Sequence, residues 1–263
     1  MPAIALEAKD VAFSYYNGLI LEGIDLQLES KELVGLIGPN GSGKTTLLKL
    51  LSGLLTPKRG TVQMEGVNLR DLSRRQIAQR VAVVPQELTI PFDFSVREMV
   101  MLGRTPHVRP LAGASSHDRT VVEEKMALTG TSGLAGRPFN ELSGGEQQRV
   151  IIAMALAQEA EILLLDEPTV HLDLTHQVEV LDLIRQLNRQ QGLTVLAIIH
   201  DLNLAALYFD RLLLLNGGGI VANGKPDEVL SEERIRQVFR ANVQVQTHPT
   251  RRTPHIVLLP TLV

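Results

Sequence analysis

Hydrophobic and polar residues alternate near the beginning of the chain, in residues 4–8 and again in residues 24–28. A period of two residues is typical of a β-strand with one buried face. The turn-forming sequence Tyr16-Asn17-Gly18 lies between the two stretches. We therefore expect a pair of half-buried antiparallel strands, whose buried positions are Ile4, Leu6, Ala8, Ile24, Leu26 and Leu28.

From residue 33 onward, short and unbroken apolar runs replace this alternation. A run of four or five apolar residues suits a strand that is covered on both faces, as in a parallel sheet flanked by helices. The sequence therefore predicts buried strands in the runs LVGLI at 33–37, VAVV at 81–84, ILLLD at 162–166, VLAII at 195–199 and LLLL at 212–215.

Helical patterns lie between these runs, at residues 45–51, 147–158 and 175–190. In the last of them an apolar residue recurs at every third position from Val178 to Leu187. Strands that alternate with helices are typical of a doubly wound α/β core. We therefore expect an α/β protein with a mostly parallel sheet flanked by helices.

The middle of the chain, at about residues 87–141, has a different character. It contains Pro91, Pro106 and Pro110, and a helical pattern follows at residues 119–129. We interpret this segment as a mostly helical insert in the α/β core. Near the other end of the chain, a short alternation at residues 243–245 and the later sequence HIVLLP predict a terminal pair of strands.

Composition narrows the class of protein. The chain has 263 residues, 44% of them hydrophobic, which is enough for a large core in one or two domains. Its net charge of −3 disfavours binding to nucleic acid over the whole surface. The absence of cysteine excludes disulfides, thiolate zinc sites and a cysteine nucleophile. Because no apolar run approaches the roughly 18 residues of a membrane span and no signal peptide is evident, we expect a soluble or peripheral protein.

The strongest chemical signal is the sequence Gly38-Pro39-Asn40-Gly41-Ser42-Gly43-Lys44-Thr45, which matches the phosphate-loop pattern G-x-x-x-x-G-K-[ST]. It follows an apolar strand and opens a helical pattern, which is the context that this motif requires. Its glycines let backbone N–H groups converge on a polyphosphate at the positive end of a helix. We expect Lys44 to reach the β- and γ-phosphates and the Thr45 hydroxyl to bind Mg²⁺.

Two acidic residues, Asp166 and Glu167, end the apolar run at residues 162–165. Two carboxylates buried there without partners would cost stability. Beside a magnesium–nucleotide site both have a role, because Asp166 can hold the metal through water and Glu167 can orient or deprotonate the attacking water. Acids at strand ends are common, so this interpretation depends on the phosphate loop.

The sequence LSGGEQQR at residues 142–149 leads into a helical pattern. Ser143 is a good N-cap, and the two glycines after it expose backbone N–H groups at the positive end of a helix. From the residues alone, two interpretations stay open: a second anion-binding site and a purely structural helix cap.

Taken in order, the phosphate loop, LSGGEQQR, LLLLDEP and a later lone histidine, His200, resemble the ATP-binding cassette (ABC) ATPases. LSGGEQQR is similar to the signature of that family, which is far more specific than a phosphate loop. The resemblance covers about residues 4–230. It implies an ABC ATPase fold in a single domain over residues 1–263, with an N-terminal antiparallel β subdomain, a helical subdomain at about 87–158 that includes the signature, and a C-terminal tail at 241–263.

In this family two nucleotide-binding domains join head to tail around ATP and Mg²⁺, and the signature of one chain completes the ATP site of the other. The resemblance therefore implies that the phosphate loop and the following Thr46 bind the nucleotide, and that Ser143, Gly144 and Gly145 contact the γ-phosphate bound to a second copy of the chain. It implies further roles for Gln86 in VVPQ (the Q-loop glutamine that touches Mg²⁺ and faces the membrane partner), Asp173 in VHLD (the D-loop aspartate) and His200 (the switch histidine near the γ-phosphate).

Two details of the resemblance leave questions open. Tyr15 in AFSYY matches the aromatic residue that stacks on adenine, with Tyr16 as the alternative one position later. The D-loop begins Val170-His171, where many family members have Ser-Ala or Ser-Asn. Asp173 itself is present, so this departure puts in doubt the communication between the two ATP sites and not hydrolysis.

Two further sequences resemble one branch of the family. MLGRTPH at residues 101–107 is similar to the LGR-x-PH stretch of importers for iron–siderophore, haem and cobalamin, and HDLNLA at residues 200–205 is similar to their HDLN-x-A segment. The resemblance implies an ATPase subunit that powers import of a metal chelate. It would bind a polytopic permease dimer as a peripheral protein on the cytoplasmic face of the inner (plasma) membrane, and a solute-binding protein only indirectly.

After the Q-loop, the soft apolar residues of the segment 92–101 suit either a groove for a helix of the permease or ordinary core packing, and both interpretations stay open. These residues are Phe92, Phe94, Met99 and Met101.

Other functions stay in view as alternatives. One is an ABC ATPase of a different transport class, such as an exporter or a molybdate importer. Another is a soluble ABC ATPase that acts on nucleic acid. Only about 120 residues separate Lys44 from Asp166, which leaves no room for the long coiled coil of the chromosome and repair ATPases. Together with the negative net charge, this favours a protein that binds no nucleic acid.

Overall fold

The structure is a computed structural model that describes residues 3–16, 18–108 and 113–260. Asn17 of the expected turn and Pro110 of the expected insert lie outside these ranges. The described strands are β1 (Ile4–Phe13), β2 (Leu21–Glu29), β3 (Leu33–Ile37), β4 (Arg59–Met64), β5 (Val67–Asn68), β6 (Val81–Val84), β7 (Ile162–Leu165), β8 (Thr194–Ile198), β9 (Arg211–Asn216), β10 (Gly219–Gly224), β11 (Val243–Thr247) and β12 (Pro254–Leu258). The described α-helices are α1 (Lys44–Leu51), α2 (Arg74–Ala78), α3 (Val96–Leu102), α4 (Ser116–Leu128), α5 (Gly144–Ala157), α6 (Leu174–Gln191), α7 (Leu202–Tyr208), α8 (Pro226–Val229) and α9 (Glu232–Phe239).

The chain divides into two compact units. Residues 1–71 together with residues 194–263 form the first, which we call the phosphate-loop unit. Residues 72–193 form the second, which we call the signature unit. The expected single domain over residues 1–263, with a helical subdomain at about 87–158, stays a prediction.

In the phosphate-loop unit, β1 pairs with both β2 and β4 in an antiparallel sheet of order β2-β1-β4-β5. This confirms the expected antiparallel strands at the start of the chain. The expected burial of Ile4 is wrong, because Ile4 is 37% exposed. The pairing of β1 with β4 begins at Leu6, opposite Met64. Ile4 therefore extends past the end of β4, which leaves it uncovered on that side.

A second sheet of the same unit has the order β10-β9-β3-β8, in which β3 is parallel to both of its neighbours. All five residues of β3 are buried, as are those of β8. The apolar runs at these positions therefore form strands covered on both faces, as the sequence predicts. Because β3 and β8 are parallel, the segments that follow them lie at the same edge of the sheet.

The signature unit contains a parallel pair of strands and most of the helices. β6 and β7 pair in register from Val81 opposite Ile162 to Val84 opposite Leu165. Helix α5 begins at Gly144, three residues earlier than its apolar pattern indicates, because Ser143 caps it. The capping box is complete, since the Ser143 side chain accepts from the N–H of Glu146 and the Glu146 side chain accepts from the N–H of Ser143.

Arg104 and His107, in the segment that matches LGR-x-PH, form hydrogen bonds with carbonyls at the C-terminal end of helix α5. Arg104 is 1% exposed, and its guanidinium donates to Asp118 Oδ1 at 2.9 Å, to the Ala157 carbonyl at 2.7 Å and to Glu159 Oε2 at 2.6 Å. The ring Nε2 of His107 lies 2.8 Å from the carbonyl oxygen of Gln158. The motif therefore supplies the hydrogen bonds that the last carbonyls of a helix lack.

Removal of the Asp118 carboxylate is expected to destabilise the protein, because it leaves the buried charge of Arg104 less compensated. We expect Asp118→Ala to lower the free energy of unfolding by about 3–5 kcal/mol, measured by urea denaturation. The matched control is Glu123→Ala on the same helix, which breaks only the exposed ion pair with Arg97 and should cost less than about 1 kcal/mol. Equal effects of the two substitutions would contradict this expectation.

The same carboxyl makes stability depend on pH. The hydroxyl and the backbone N–H of Ser115, and after them the Arg104 guanidinium, hold the pKa of Asp118 well below its usual range. A lowered pKa in the folded state means that the stabilisation is complete above the unfolded value of about 4 and is lost as the pH falls below it. The difference in unfolding free energy between wild type and Asp118→Ala should therefore shrink below about pH 4.

The C-terminal segment forms the expected strand pair, with β11 and β12 antiparallel from Val243 opposite Leu258 to Thr247 opposite Pro254. The hairpin is attached to helix α7 through Asn203. The Asn203 side chain donates to the Ile256 carbonyl at 3.2 Å and accepts from the Ile256 N–H at 2.7 Å. This reciprocal pair gives the asparagine of the sequence HDLN a structural role.

Candidate functional site

The phosphate loop connects the buried strand β3 to helix α1, as its sequence motif requires. Lys44, the first residue of α1, is 6% exposed and crosses the loop. Its Nζ donates to the carbonyls of Gly38 and Pro39, each at 2.9 Å. The ammonium group is thus held at the centre of the loop, where a polyphosphate would meet it.

Two features of the loop fit a phosphate ligand. Ser42 Oγ is buried and has no hydrogen-bond partner among the described residues, although a buried hydroxyl normally has one. Gly38 has a φ of +152°, and a Cβ at this position would lie 2.9 Å from that hydroxyl and collide with the Leu215 carbonyl. Only glycine therefore fits here, and the serine hydroxyl is available to a phosphate oxygen.

His200 lies at the same edge of the sheet as the loop. It follows β8, whose parallel pairing with β3 continues through a hydrogen bond of 3.1 Å from the Ile199 N–H to the Leu36 carbonyl. The histidine is exposed, and the next residue, Asp201, caps helix α7 by accepting from two backbone N–H groups. The phosphate-loop unit therefore brings the predicted switch histidine to the edge that carries the loop.

The two candidate adenine-stacking residues differ in how they are held. Tyr15 is 46% exposed and packs edge-on against Phe13, with ring centroids 5.0 Å apart. Tyr16 is 89% exposed. The next strand, β2, begins beside the phosphate loop, since a Cβ on Gly43 would lie 2.6 Å from a methyl of Leu21, the first residue of β2. Because its ring is partly packed and partly exposed in this position, Tyr15 is favoured over Tyr16 as the residue that stacks on adenine.

In the signature unit, the ends of β6 and β7 bring three predicted residues together. The N–H of Asp166 donates to the Val84 carbonyl at 2.9 Å, which continues the pairing of the strands. Two residues beyond Val84, Gln86 Nε2 donates to Glu167 Oε2 at 2.9 Å. Asp166 is buried and Gln86 is exposed, so the edge carries an acid–amide pair beside a second, buried acid.

Glu167 has a left-handed backbone conformation, with a φ of +53°. This conformation costs a residue other than glycine roughly 1 kcal/mol or more, and such strain is concentrated at functional sites. The turn directs the carboxylate towards Gln86, at the end of the neighbouring strand. Nothing in the residue pattern of ILLLDE indicates this conformation.

The signature sequence begins a 14-residue helix whose first residue, Gly144, is exposed. The backbone N–H and then the hydroxyl of Ser143 hold the pKa of Glu146 below its usual range, so the capping carboxylate is ionised near neutral pH. The structural interpretation of LSGGEQQR as a helix cap is therefore correct. An exposed helix start of this kind is equally suited to an anion, because its dipole and N–H groups point outward.

Asp173 of the D-loop caps helix α6. Its Oδ1 accepts from the backbone N–H of His176 at 2.9 Å and lies 2.8 Å from Nδ1 of the His176 ring. The backbone bond and then the ring bond hold the pKa of Asp173 below its usual range. Because an ionised carboxylate only accepts hydrogen bonds, the proton of this bond resides on His176 Nδ1.

The segment after the Q-loop divides between the two interpretations that its sequence leaves open. Met99 is fully buried and belongs to the core. Phe92 is 66% exposed and makes an edge-on contact with Phe94 at 6.1 Å. An exposed aromatic residue of this size is available to a partner.

None of the helices within residues 3–16, 18–108 and 113–260 combines the length and the hydrophobicity of a membrane span.

Comparison with known proteins gives a consistent assignment. The sequence profile of the ABC transporter family matches residues 21–170. The achromobactin transport ATP-binding protein CbrD of Dickeya dadantii is 41% identical over 250 residues, which cover 95% of this chain and 93% of that protein.

Two solved structures are similar in fold. One, described as a metal-chelate type ABC transporter in an inward-facing conformation, matches with a TM-score of 0.87 and 31% identity over 98% of both chains. The other is a dimeric ABC cassette bound to ADP and Pi after hydrolysis, with a TM-score of 0.73 and 31% identity over 84% of this chain and 98% of that one. The chain therefore belongs to the ABC transporter family, whose ATP-binding subunits are ATPases.

Proposed function

We propose that this chain hydrolyses ATP to drive a membrane importer, and that the cargo is a metal chelate such as a ferric siderophore, haem or cobalamin. The observation that carries the ATPase role is the phosphate loop, in which the buried Lys44 lies across the loop and Ser42 Oγ is buried with no partner in the part of the chain that the structure describes. The second copy of the chain, the permease and the cytoplasmic face of the membrane belong to the same proposal.

Nucleotide binding is assigned to the phosphate-loop unit. Lys44 exchanges its two carbonyl partners for phosphate oxygens, and the backbone N–H groups of the loop and the first turn of α1 surround the same phosphates. Tyr15 stacks on the adenine ring, for which its half-exposed ring is suited. The remaining assigned contacts come from Gly38, Pro39, Asn40, Gly41, Ser42, Gly43, Thr45 and Thr46.

The donor set assigned to Mg²⁺ consists of the Thr45 hydroxyl, the Gln86 amide oxygen and the Asp166 carboxylate. These are oxygen ligands, which magnesium prefers, and nucleotide phosphates and water would supply its remaining ligands. When bound, the ion neutralises charge that develops on the phosphates. Asp166 lies at the buried end of β7 and is therefore held in place by the strand pairing that precedes it.

Glu167 is assigned as the general base for hydrolysis. Its carboxylate removes a proton from the attacking water or orients it, and the hydrogen bond from Gln86 Nε2 fixes the carboxylate in one direction. His200 donates a hydrogen bond to the γ-phosphate as negative charge develops there. The assignment is supported by the left-handed backbone of Glu167, because strained conformations are concentrated at functional sites.

A second copy of the chain completes each site. Ser143, Gly144 and Gly145 at the start of α5 bind the γ-phosphate held by the other copy, and Asp173 acts at the same interface. An exposed helix start with a serine cap supports this role, because a terminal phosphate is the kind of anion such a terminus binds. ATP would thus close a head-to-tail dimer, and hydrolysis would reopen it.

The transport class is supported by the sequence LGR-x-PH, by HDLN-x-A and by the similarity to a metal-chelate type transporter. The exposed Phe92 is assigned to the surface that meets the permease. A solute-binding protein would act on the other side of the membrane and would not touch this chain.

Co-purification tests this function. The Glu167→Gln variant, which should bind ATP without hydrolysing it, is purified from native membranes with and without ATP, and the accompanying chains are identified. We expect a polytopic permease, and the complex of that permease with the wild-type chain, reconstituted in vesicles, should take up a ferric chelate. Ribosomal or DNA-bound partners without any membrane protein would contradict the importer function and leave the ATPase assignment unaffected.

A further inference from the structure

The ring of His176 packs directly on the second glycine of the signature. A Cβ placed on Gly145 would lie 2.6 Å from Cγ and 2.9 Å from Nε2 of this ring, so no larger residue fits beneath it. Gly145 is buried, and the His176 side chain is only about one-third exposed. The two residues belong to different helices, α5 and α6, and their contact joins the starts of both.

The same ring is bonded to the D-loop. Its Nδ1 donates to Asp173 Oδ1 at 2.8 Å, and the backbone N–H of His176 donates to the same oxygen at 2.9 Å. One residue further on, Gln177 Nε2 donates to the carbonyl of Leu172 at 2.9 Å. The first turn of α6 therefore holds two consecutive residues of the D-loop.

Two further contacts run between the same helices. A Cβ on Gly144 would lie 3.7 Å from Cδ2 of Leu172, so the D-loop leucine lies over the first signature glycine. One turn further along each helix, Arg149 Nη1 and Glu179 Oε2 form an ion pair at 2.7 Å. The signature and the D-loop thus form one contiguous cluster, in which His176 is the residue that contacts both.

We propose that His176 is a positioning residue that fixes the signature glycines and the D-loop aspartate in a single arrangement, so that both engage the partner's nucleotide together. The inference rests on the proposed head-to-tail dimer. A ring suits this task because its flat face covers Gly145 while its edge donates to Asp173.

The test compares steady-state ATP hydrolysis and nucleotide affinity in His176→Ala and wild type. We expect kcat to fall about tenfold, while the Kd of a fluorescent ATP analogue for the monomer changes less than twofold. The signature completes the partner's site and not its own, which is why the two quantities separate. In the Glu167→Gln background, His176→Ala should raise the ATP concentration needed for dimerisation about tenfold.

The matched control is His117→Ala, which removes an exposed histidine from the first turn of helix α4 and should leave kcat unchanged. Two conservative variants separate the two contacts. His176→Phe keeps the ring on Gly145 without the bond to Asp173, and His176→Asn keeps a donor without the ring. Each should recover part of the lost kcat, a partial rescue that general destabilisation of helix α6 would not produce.

A kcat for His176→Ala within twofold of that of His117→Ala would overturn the inference. If His176→Ala does not fold, the inference is overturned when His176→Phe and His176→Asn both have a kcat within twofold of that of His117→Ala, because each of them lacks one of the two contacts. ATP hydrolysis by the wild-type protein distinguishes a failure of the proposed function from a failure of the role assigned to His176. Its absence would overturn the proposed function together with this inference, whereas its presence with an active His176→Ala variant would overturn only the role of His176.

Discussion

Replacement of Glu167 by glutamine is expected to lower the rate of ATP hydrolysis by a factor on the order of 10²–10⁴, which is the usual contribution of a general base. Glutamine has nearly the same shape as glutamate and can still pair with Gln86, but it cannot accept a proton from water. Affinity for ATP should therefore change little, and the dimer formed with ATP should persist. The measurements are phosphate release and the molecular mass in the presence of ATP.

Glu161→Gln is the matched control for this prediction. Glu161 is an exposed glutamate that immediately precedes β7, whereas Glu167 follows this strand, so the same chemical change is made away from the site. Its hydrolysis rate should equal that of the wild type. Equal rates for Glu167→Gln and the wild type would remove Glu167 as the base.

The second large effect is expected for Lys44→Ala, which should weaken the binding of ATP itself. A hydrogen bond to a charged group contributes about 1.5–3 kcal/mol, so loss of the ammonium should raise the Kd for ATP roughly 10- to 100-fold. Because Lys44 also bonds the carbonyls of Gly38 and Pro39, one in a buried and one in a part-buried position, urea denaturation of the variant separates a loss of folding from a loss of binding. Titration calorimetry measures the Kd directly.

Lys49→Ala on the same helix α1 provides the control for nucleotide binding. Lys49 lies in the last turn of α1, away from the loop that precedes the helix. It carries the same charge, so a nonspecific effect of net charge would change the Kd in both variants. The phosphate-loop assignment is contradicted if Lys44→Ala and Lys49→Ala bind ATP equally well.

Local sequence was sufficient to predict the elements that hold the site. The apolar runs that became β3 and β8 are buried along their whole length, and the phosphate loop occurs between a strand and a helix, where its motif requires it. Ser143 caps its helix as its residue type indicates. These features depend on neighbours within a few residues, so the pattern contains the necessary information.

Contacts between distant parts of the chain were not predictable in the same way. The bond from Gln86 to Glu167 joins residues 81 positions apart, and it depends on the parallel pairing of β6 with β7. The left-handed backbone of Glu167 is a consequence of the turn that follows this pairing. The burial of Arg104 likewise depends on partners in helices α4 and α5, which its own motif does not contain.

His176 illustrates the same limit at the proposed dimer interface. Its spacing of three residues from Asp173 is the one available signal, since side chains in the first turn of a helix commonly meet the capping residue. This spacing indicates a surface or capping role for the histidine. The capping contact is correct, but the packing of the ring on Gly145 depends on the arrangement of α5 against α6.

The composite ATP site is tested most directly by mixing two inactive variants, Lys44→Ala with an intact signature and Ser143→Arg with an intact phosphate loop. In a head-to-tail dimer, each mixed pair has one site in which both parts are intact. An equal mixture should therefore recover about a quarter of the wild-type hydrolysis rate, since about half of the dimers are mixed and each has one working site. A mixture no more active than its separate components would contradict the proposal that one chain completes the site of the other.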